Sequence, residues 1–235
     1  MKIGIDNVTT GQATSRRTIG GFRHFLEDLA TWMPRVAPQH EYVLFQPRWS
    51  DSLDIDLGSN VRIHECAGVP KQRLGRVIYE QSVYGGIIDR SGVNVFLALN
   101  NVVPLGLRTP SVAQIPSLQY FDFPQIYSRP QLVYLRNMAP WTLRKAKRVI
   151  AFSHTSKQTI LEKVRIPEAK VHVVYHGLSA TVERNGQGQQ YEAGCRLVES
   201  LSEGKPYILS VSSFYWQKNL TRLIDAFSIV RHRHA

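Results

Sequence analysis

The sequence predicts an α/β protein: a doubly wound parallel sheet, with a second domain begun but not completed after it. Three observations predict this. Short β-branched apolar runs bounded by Pro, Gly or charge alternate with helix-length amphipathic stretches. A polar segment, RNGQGQQYEAG, interrupts that alternation late in the chain. One more apolar run and one more helical stretch follow it, and a single βα pair cannot cover both faces of a parallel strand.

The elements follow in order. Residues 2–7 place Ile3 and Ile5 on one face and read as the first strand. A polar, Gly-containing loop over 9–21 leads to a helix over about 22–33, with Phe22, Phe25, Leu26, Leu29 and Ala30 on one side, which Pro34 is expected to end. Further strands are predicted over 42–46, 61–64, 93–99, 111–115, 149–152 and 171–174. Helices are predicted over 74–90, 131–147 and 155–163, the second of them divided at Pro140. Residues 1–182 thus form one domain and 183–204 a linker with a short helix near 195–201. Residues 205–235 form the incomplete start of a second domain, with a strand over 207–211 and a helix from Leu220.

Composition narrows the function classes. The chain has 235 residues, 43% hydrophobic and 20% charged, which excludes disordered and collagen-like architectures. Two cysteines, Cys66 and Cys195, cannot staple a disulfide scaffold and read as a reduced pair. No apolar run is long enough to span a bilayer. Asp6 falls where a signal peptide needs its apolar region, so the cytoplasm, or the inner face of its membrane, is the expected location. The net charge is +11, and between Arg129 and Arg165 nine Lys/Arg face one acid, Glu162. Such a stretch fits an anionic partner, an anionic membrane surface among them, or else a solvated helix face. Nucleic acid is not expected, because no helix-turn-helix, RNP-like or zinc pattern accompanies the charge.

Several positions carry candidate chemistry. Gly20 and Gly21 stand before a helix N-terminus, where free N–H groups could meet a phosphate, or simply form an ordinary βα loop. The dinucleotide fingerprint and the Walker A pattern are absent, which removes the support for NAD or ATP. Pro116, Ser117, Gln119 and Tyr120 follow a predicted strand, and loops at strand C-termini face the ligand crevice of an open α/β sheet. Their hydroxyl and amide groups could bond a sugar. Ser153 is read as a helix N-cap. His172 and His176 have no third ligand in view, so no metal is predicted. Lys218 and Asn219 sit at a βα junction, where a lysine can neutralise a diphosphate. No catalytic residue can be assigned.

In combination and in order, these segments resemble glycosyltransferase family 4, retaining enzymes of GT-B fold. The resemblance is carried by VIAFSHTSKQTILEKVRIPEAKVHVVYHGL, by YILSVSSFYWQKNLTRLIDAF, by the loop IPSLQYFDFPQIYS and by the amino-terminal IGIDN with its glycine loop. It implies two Rossmann-like domains facing a cleft, the first holding the acceptor and the second a nucleotide-diphospho-sugar, with no other cofactor. By position, Gly20 and Gly21 would approach the donor phosphates, together with Lys218 and Asn219. Pro116, Ser117, Gln119 and Tyr120 would line the acceptor and sugar cleft. The implied acceptor is a glycan or a lipid-linked glycan. Relatives often carry His-Asp or Asp where this chain has Pro116-Ser117, and a basic residue where it has Ser212. The family's paired-glutamate segment would fall after Ala235. The alternative is a non-catalytic remnant that binds only acceptor or membrane.

Overall fold

The structure, a computed structural model, describes residues 1–9, 21–50, 53, 57–177, 189–212, 214 and 218–234. The chain divides into two compact units, Met1–Ala180 and Thr181–Ala235.

The first unit is a seven-stranded sheet, with every neighbouring pair parallel. Its strands are β1 (Lys2–Asp6), β2 (Glu41–Pro47), β3 (Val61–Cys66), β4 (Val95–Ala98), β5 (Ser111–Ile115), β6 (Arg148–Ala151) and β7 (Val171–Val173). Their spatial order is β3-β2-β1-β4-β5-β6-β7. All seven strands predicted here form. The helices are α1 (Gly21–Val36), α2 (Arg73–Tyr79), α3 (Gly85–Arg90), α4 (Gln119–Asp122), α5 (Arg129–Lys145) and α6 (His154–Val164). A π-helical turn, Glu80–Tyr84, joins α2 to α3.

Strand order and handedness decide which face each helix covers. Crossovers between parallel strands are right-handed, so steps toward β3 and steps toward β7 put their helices on opposite faces. The helix of the step from β1 to β2 is α1, and its Leu26 and Ala30 pack on Ile3, Ile5, Tyr42, Leu44 and Leu97. The steps from β3 to β4, β5 to β6 and β6 to β7 run the other way. Tyr84, Ile88, Ala139, Leu143, Ile160 and Val164 from their helices pack on Phe45, Phe96, Ala113, Val149 and Val171. Gly4 lets this second face close: a Cβ there would stand 2.9 Å from the Phe45 ring.

Two proline expectations fail. The α1 helix passes through Pro34 to Val36, and α5 runs unbroken through Pro140. Each proline removes one backbone donor. At Pro34 hydrogen bonds hold the last turn: the Met33 carbonyl accepts the Ala37 N–H and the Tyr42 hydroxyl, both at 3.0 Å, and the Pro34 carbonyl accepts the Asn60 amide at 3.3 Å. Around Pro140 the anchors are Ala139, Thr142 and Leu143, all buried. The Thr142 hydroxyl also accepts a bond from the Val103 N–H at 3.0 Å.

The second unit contains α7 (Gln189–Ser202) and α8 (Leu220–His234). The helix expected near 195–201 is thus longer and begins inside the polar segment. The strand expected over 207–211 does not form: no described residue pairs with it, and Leu209 and Val211 are 70% and 87% exposed. An apolar, β-branched run needs a neighbouring strand before it becomes one.

Candidate functional site

Parallel strands bring all their carboxyl ends to one edge, and that edge is where open α/β sheets bind ligands. Here it carries Asp6 at the end of β1, the loop after β5, the Ser153 turn after β6 and residues 174–177 after β7.

Asp6 ends an apolar strand and is wholly buried. Its carboxylate accepts bonds from the Val8 N–H at 3.0 Å, the Thr9 N–H at 3.3 Å, the Tyr84 hydroxyl at 3.0 Å and the Thr9 hydroxyl. Burial pushes its carboxyl above the usual range, while the Thr9, Tyr84 and Val8 bonds pull it back. Tyr84 reaches Asp6 from the π-helical turn, where one extra residue re-aims the side chains that follow. The same turn buries Glu80. Desolvation, and then Asp6, hold that carboxyl well above the normal range, with Arg76 opposing. Asp6 therefore pins the first residues of the β1–α1 connection to the body of the domain.

The loop after β5 gathers four of the residues singled out in the sequence. Pro116 borders the groove beside α1. The Ser117 hydroxyl accepts the Gln119 N–H at 3.0 Å, closing a turn into the short α4. Gln119 is half-buried. Tyr120 is 1% exposed in the core, its ring 4.8 Å from Phe121 and 6.4 Å from Tyr127. Burial raises its phenol, and its hydroxyl has no protein partner. Ser153 caps α6 as expected, accepting the Ser156 N–H at 3.0 Å. His176 stacks on Phe152 with ring centroids 3.6 Å apart, and burial draws its imidazole pKa down.

Other expectations land elsewhere. Gly20 lies outside the described residues, and Gly21 opens α1. Lys218 and Asn219 belong to the second unit. Both are exposed, and Asn219 has a left-handed φ of 53° while its carbonyl accepts the Leu223 N–H of α8 at 3.3 Å. Most of the basic stretch stays in solvent, with Lys157 paired to Glu168 at 2.9 Å and Lys163 to Asp122 at 3.5 Å. Arg144, Lys145, Lys147 and Arg148 sit where α5 ends and β6 begins, on the edge opposite the ligand edge.

Sequence reasoning passed over Asp6, Glu80 and Gln114. The signal for the first was present, since an acid closing an apolar strand marks the functional edge of such a sheet. Gln114 left a comparable trace as a polar residue inside an otherwise apolar strand.

An all-parallel seven-stranded sheet with helices on both faces defines the class: an α/β, Rossmann-like domain. The pattern of Glycosyltransferase Family 4 matches residues 19–181, and the chain belongs to that family. The fold is similar to a crystal structure of a glycosyltransferase from Rickettsia africae ESF-5, with a TM-score of 0.54 and 16% identity over 98% of this chain. This chain spans 57% of that structure's length. None of the curated proteins compared with the chain matches it. Among the described residues, no helix is long and apolar enough to cross a membrane.

Proposed function

We propose that the chain works in a retaining glycosyl transfer from a nucleotide-diphospho-sugar to a glycan or lipid-linked acceptor, in cell-surface polysaccharide or glycolipid synthesis. The observation that carries this reading is the family match over 19–181, which contains the loop after β5 and the Ser153 turn. The first unit takes the acceptor along its carboxyl edge, near Pro116, Ser117 and Gln119; Tyr120, buried in the core, supports that loop from beneath. Gly20 and Gly21 approach the donor phosphates. Lys218, with Asn219 beside it, neutralises charge on the leaving diphosphate, which favours the transition state over the bound donor.

The test is calorimetric titration of the 235-residue protein with UDP-, GDP- and ADP-sugars, followed by assay for release of the nucleoside diphosphate. Saturable binding of one donor, weakened about tenfold or more in Lys218→Ala, supports the reading. Failure of every donor to bind favours the non-catalytic alternative.

The basic residues favour a second reading of location. Arg136, Arg144, Lys145, Lys147 and Arg148 are exposed, and a cluster of this kind attracts anionic lipid by about 1 kcal/mol per residue near the surface. Co-sedimentation with phosphatidylserine vesicles should then fall steeply between low and physiological salt. Equal sedimentation with neutral and anionic vesicles would remove the membrane from the proposal.

A further inference from the structure

On the α1 face of the first unit, a groove of about 820 Å³ lies between α1 and the β5–β6 part of the sheet, inside the usual range for a small-molecule site. Phe25, Leu29 and Trp32 of α1 form one wall, and Phe152 and His176 stand at the carboxyl edge. The floor holds one side chain of a different kind. Gln114 of β5 stands beside Ile150 of β6 in the sheet register, and both line the groove. Gln114 is 2% exposed. Neither its amide nitrogen nor its amide oxygen has a hydrogen-bond partner in the protein. A buried amide in that state has lost its hydration for no return. Its terminal torsion is soft, so the amide can turn to meet a group in the groove.

We infer that this groove binds a flat, uncharged heteroaromatic ring with a donor and an acceptor side by side on one edge, a cyclic lactam of the nucleobase type, paired to Gln114 through two hydrogen bonds. The carbonyl of a primary amide and one of its N–H groups share an edge, so a single partner must accept and donate in one plane. A ring lactam does so. Glutamine meets the donor-acceptor edge of adenine with two bonds in the same manner. A trans peptide group points its N–H and its C=O in opposite directions and cannot meet both atoms. A bare hydrocarbon meets neither.

The walls suit the faces of such a ring. Phe25 meets Phe152 edge to face with centroids 5.5 Å apart, and His176 lies 3.6 Å from Phe152. Such a cluster offers a further ring both edges and faces. Charge selects against phosphorylated forms. Among the described lining residues there is no lysine or arginine, whereas Asp28 is present, so phosphates would meet no cation. The ligand is a base, a nucleoside or a related lactam. The site makes no use of glycosyl transfer and does not rest on that reading.

The test titrates uracil, hypoxanthine and carbostyril, a benzo-fused lactam, into the 235-residue protein by calorimetry with no nucleotide sugar present. Carbostyril should bind saturably and about tenfold or more tightly than uracil, because its second ring meets the apolar walls. N-methylcarbostyril keeps the carbonyl and loses the donor, and should bind roughly tenfold to a hundredfold more weakly. That contrast is read in the wild type and needs no variant to fold. Gln114→Leu should weaken carbostyril by a similar factor, remove its advantage over the N-methyl compound, and melt no lower than the wild type.

Equal affinity of the wild type for carbostyril and its N-methyl derivative would overturn the proposal, as would no binding by any lactam. A capped apolar tetrapeptide that displaces carbostyril more readily than the other lactams do would make this a peptide groove instead. Displacement by uridine diphosphate more readily than by uridine would mark a phosphate site and equally overturn it. Because no donor takes part, sugar transfer or its absence bears on the earlier reading alone.

Discussion

The two faces of the sheet are built from the same strands and covered to different extents. On one, α2, α3, α5 and α6 close over Phe45, Phe96, Ala113 and Val149, and the packing is complete from β2 to β7. On the other, α1 covers one half and leaves Val112, Ile150 and Phe152 only partly buried. The difference follows from strand order, because among the described residues only one helical crossover, α1, steps toward β3. A parallel sheet normally has both faces buried. The covered face therefore carries more of the stability of the first unit than the half-open one, which still holds a smaller core of its own under α1.

The comparison breaks most readily by truncating one residue on each face. Leu143→Ala, on the covered face, should lower unfolding free energy by about 2–5 kcal/mol, because its site is fully enclosed and a cavity remains. Ile150→Ala on the open face should cost less than half as much. Equal losses in urea unfolding would mean that both faces are packed alike.

A pH series sharpens the picture at the boundary of the covered face. Glu80 has its folded-state pKa raised, so the folded protein holds a proton that the unfolded chain has released. Between the unfolded value of 4.5 and the raised one, stability should fall as pH rises, by up to about 1.4 kcal/mol per pH unit. Below that window both states are protonated and the effect vanishes. In Glu80→Gln the melting temperature should lose this part of its pH dependence. An identical slope in wild type and variant would show that Glu80 ionises freely.

Smaller effects belong to the edges. Ser153→Ala removes the α6 cap and should cost about 1 kcal/mol by thermal melting. Lys218→Ala, exposed in the second unit, should shift stability by no more than about 0.5 kcal/mol, so any effect on donor binding reads binding alone.

The strands were legible in the sequence because each is a short β-branched run closed by a Pro, Gly or charge, a signal that is local. Ser153 was legible for the same reason, since a cap is decided within four residues. What failed was decided at longer range. Pro34 and Pro140 were read as breaks, yet hydrogen bonds from Tyr42 and Asn60 hold the turn at the first and burial of Ala139, Thr142 and Leu143 carries the helix through the second. Residues 207–211 have a strand's composition, but a strand depends on a neighbour that sequence does not supply. Tyr120 reads as a loop hydroxyl in an alternating polar segment and lies in the core. The Asp6–Tyr84 bond joins residues 78 positions apart, and the groove beside α1 exists only because of strand order.

The π-helical turn carries a consequence for how this gene can vary. Glu80–Tyr84 spends one residue more than an α-helix would, and that residue brings the Tyr84 hydroxyl to Asp6. A π turn absorbs its extra residue within one wider turn, so losing a single codon there would restore the regular helix and leave α3 nearly in phase with α2. Losing a codon within α2 or α3, where no wider turn absorbs it, would instead rotate the residues beyond by about 100° relative to those before it. The stretch from 80 to 84 is therefore where this segment should tolerate a change of length best, even though nothing in its composition, EQSVY, marks it as special.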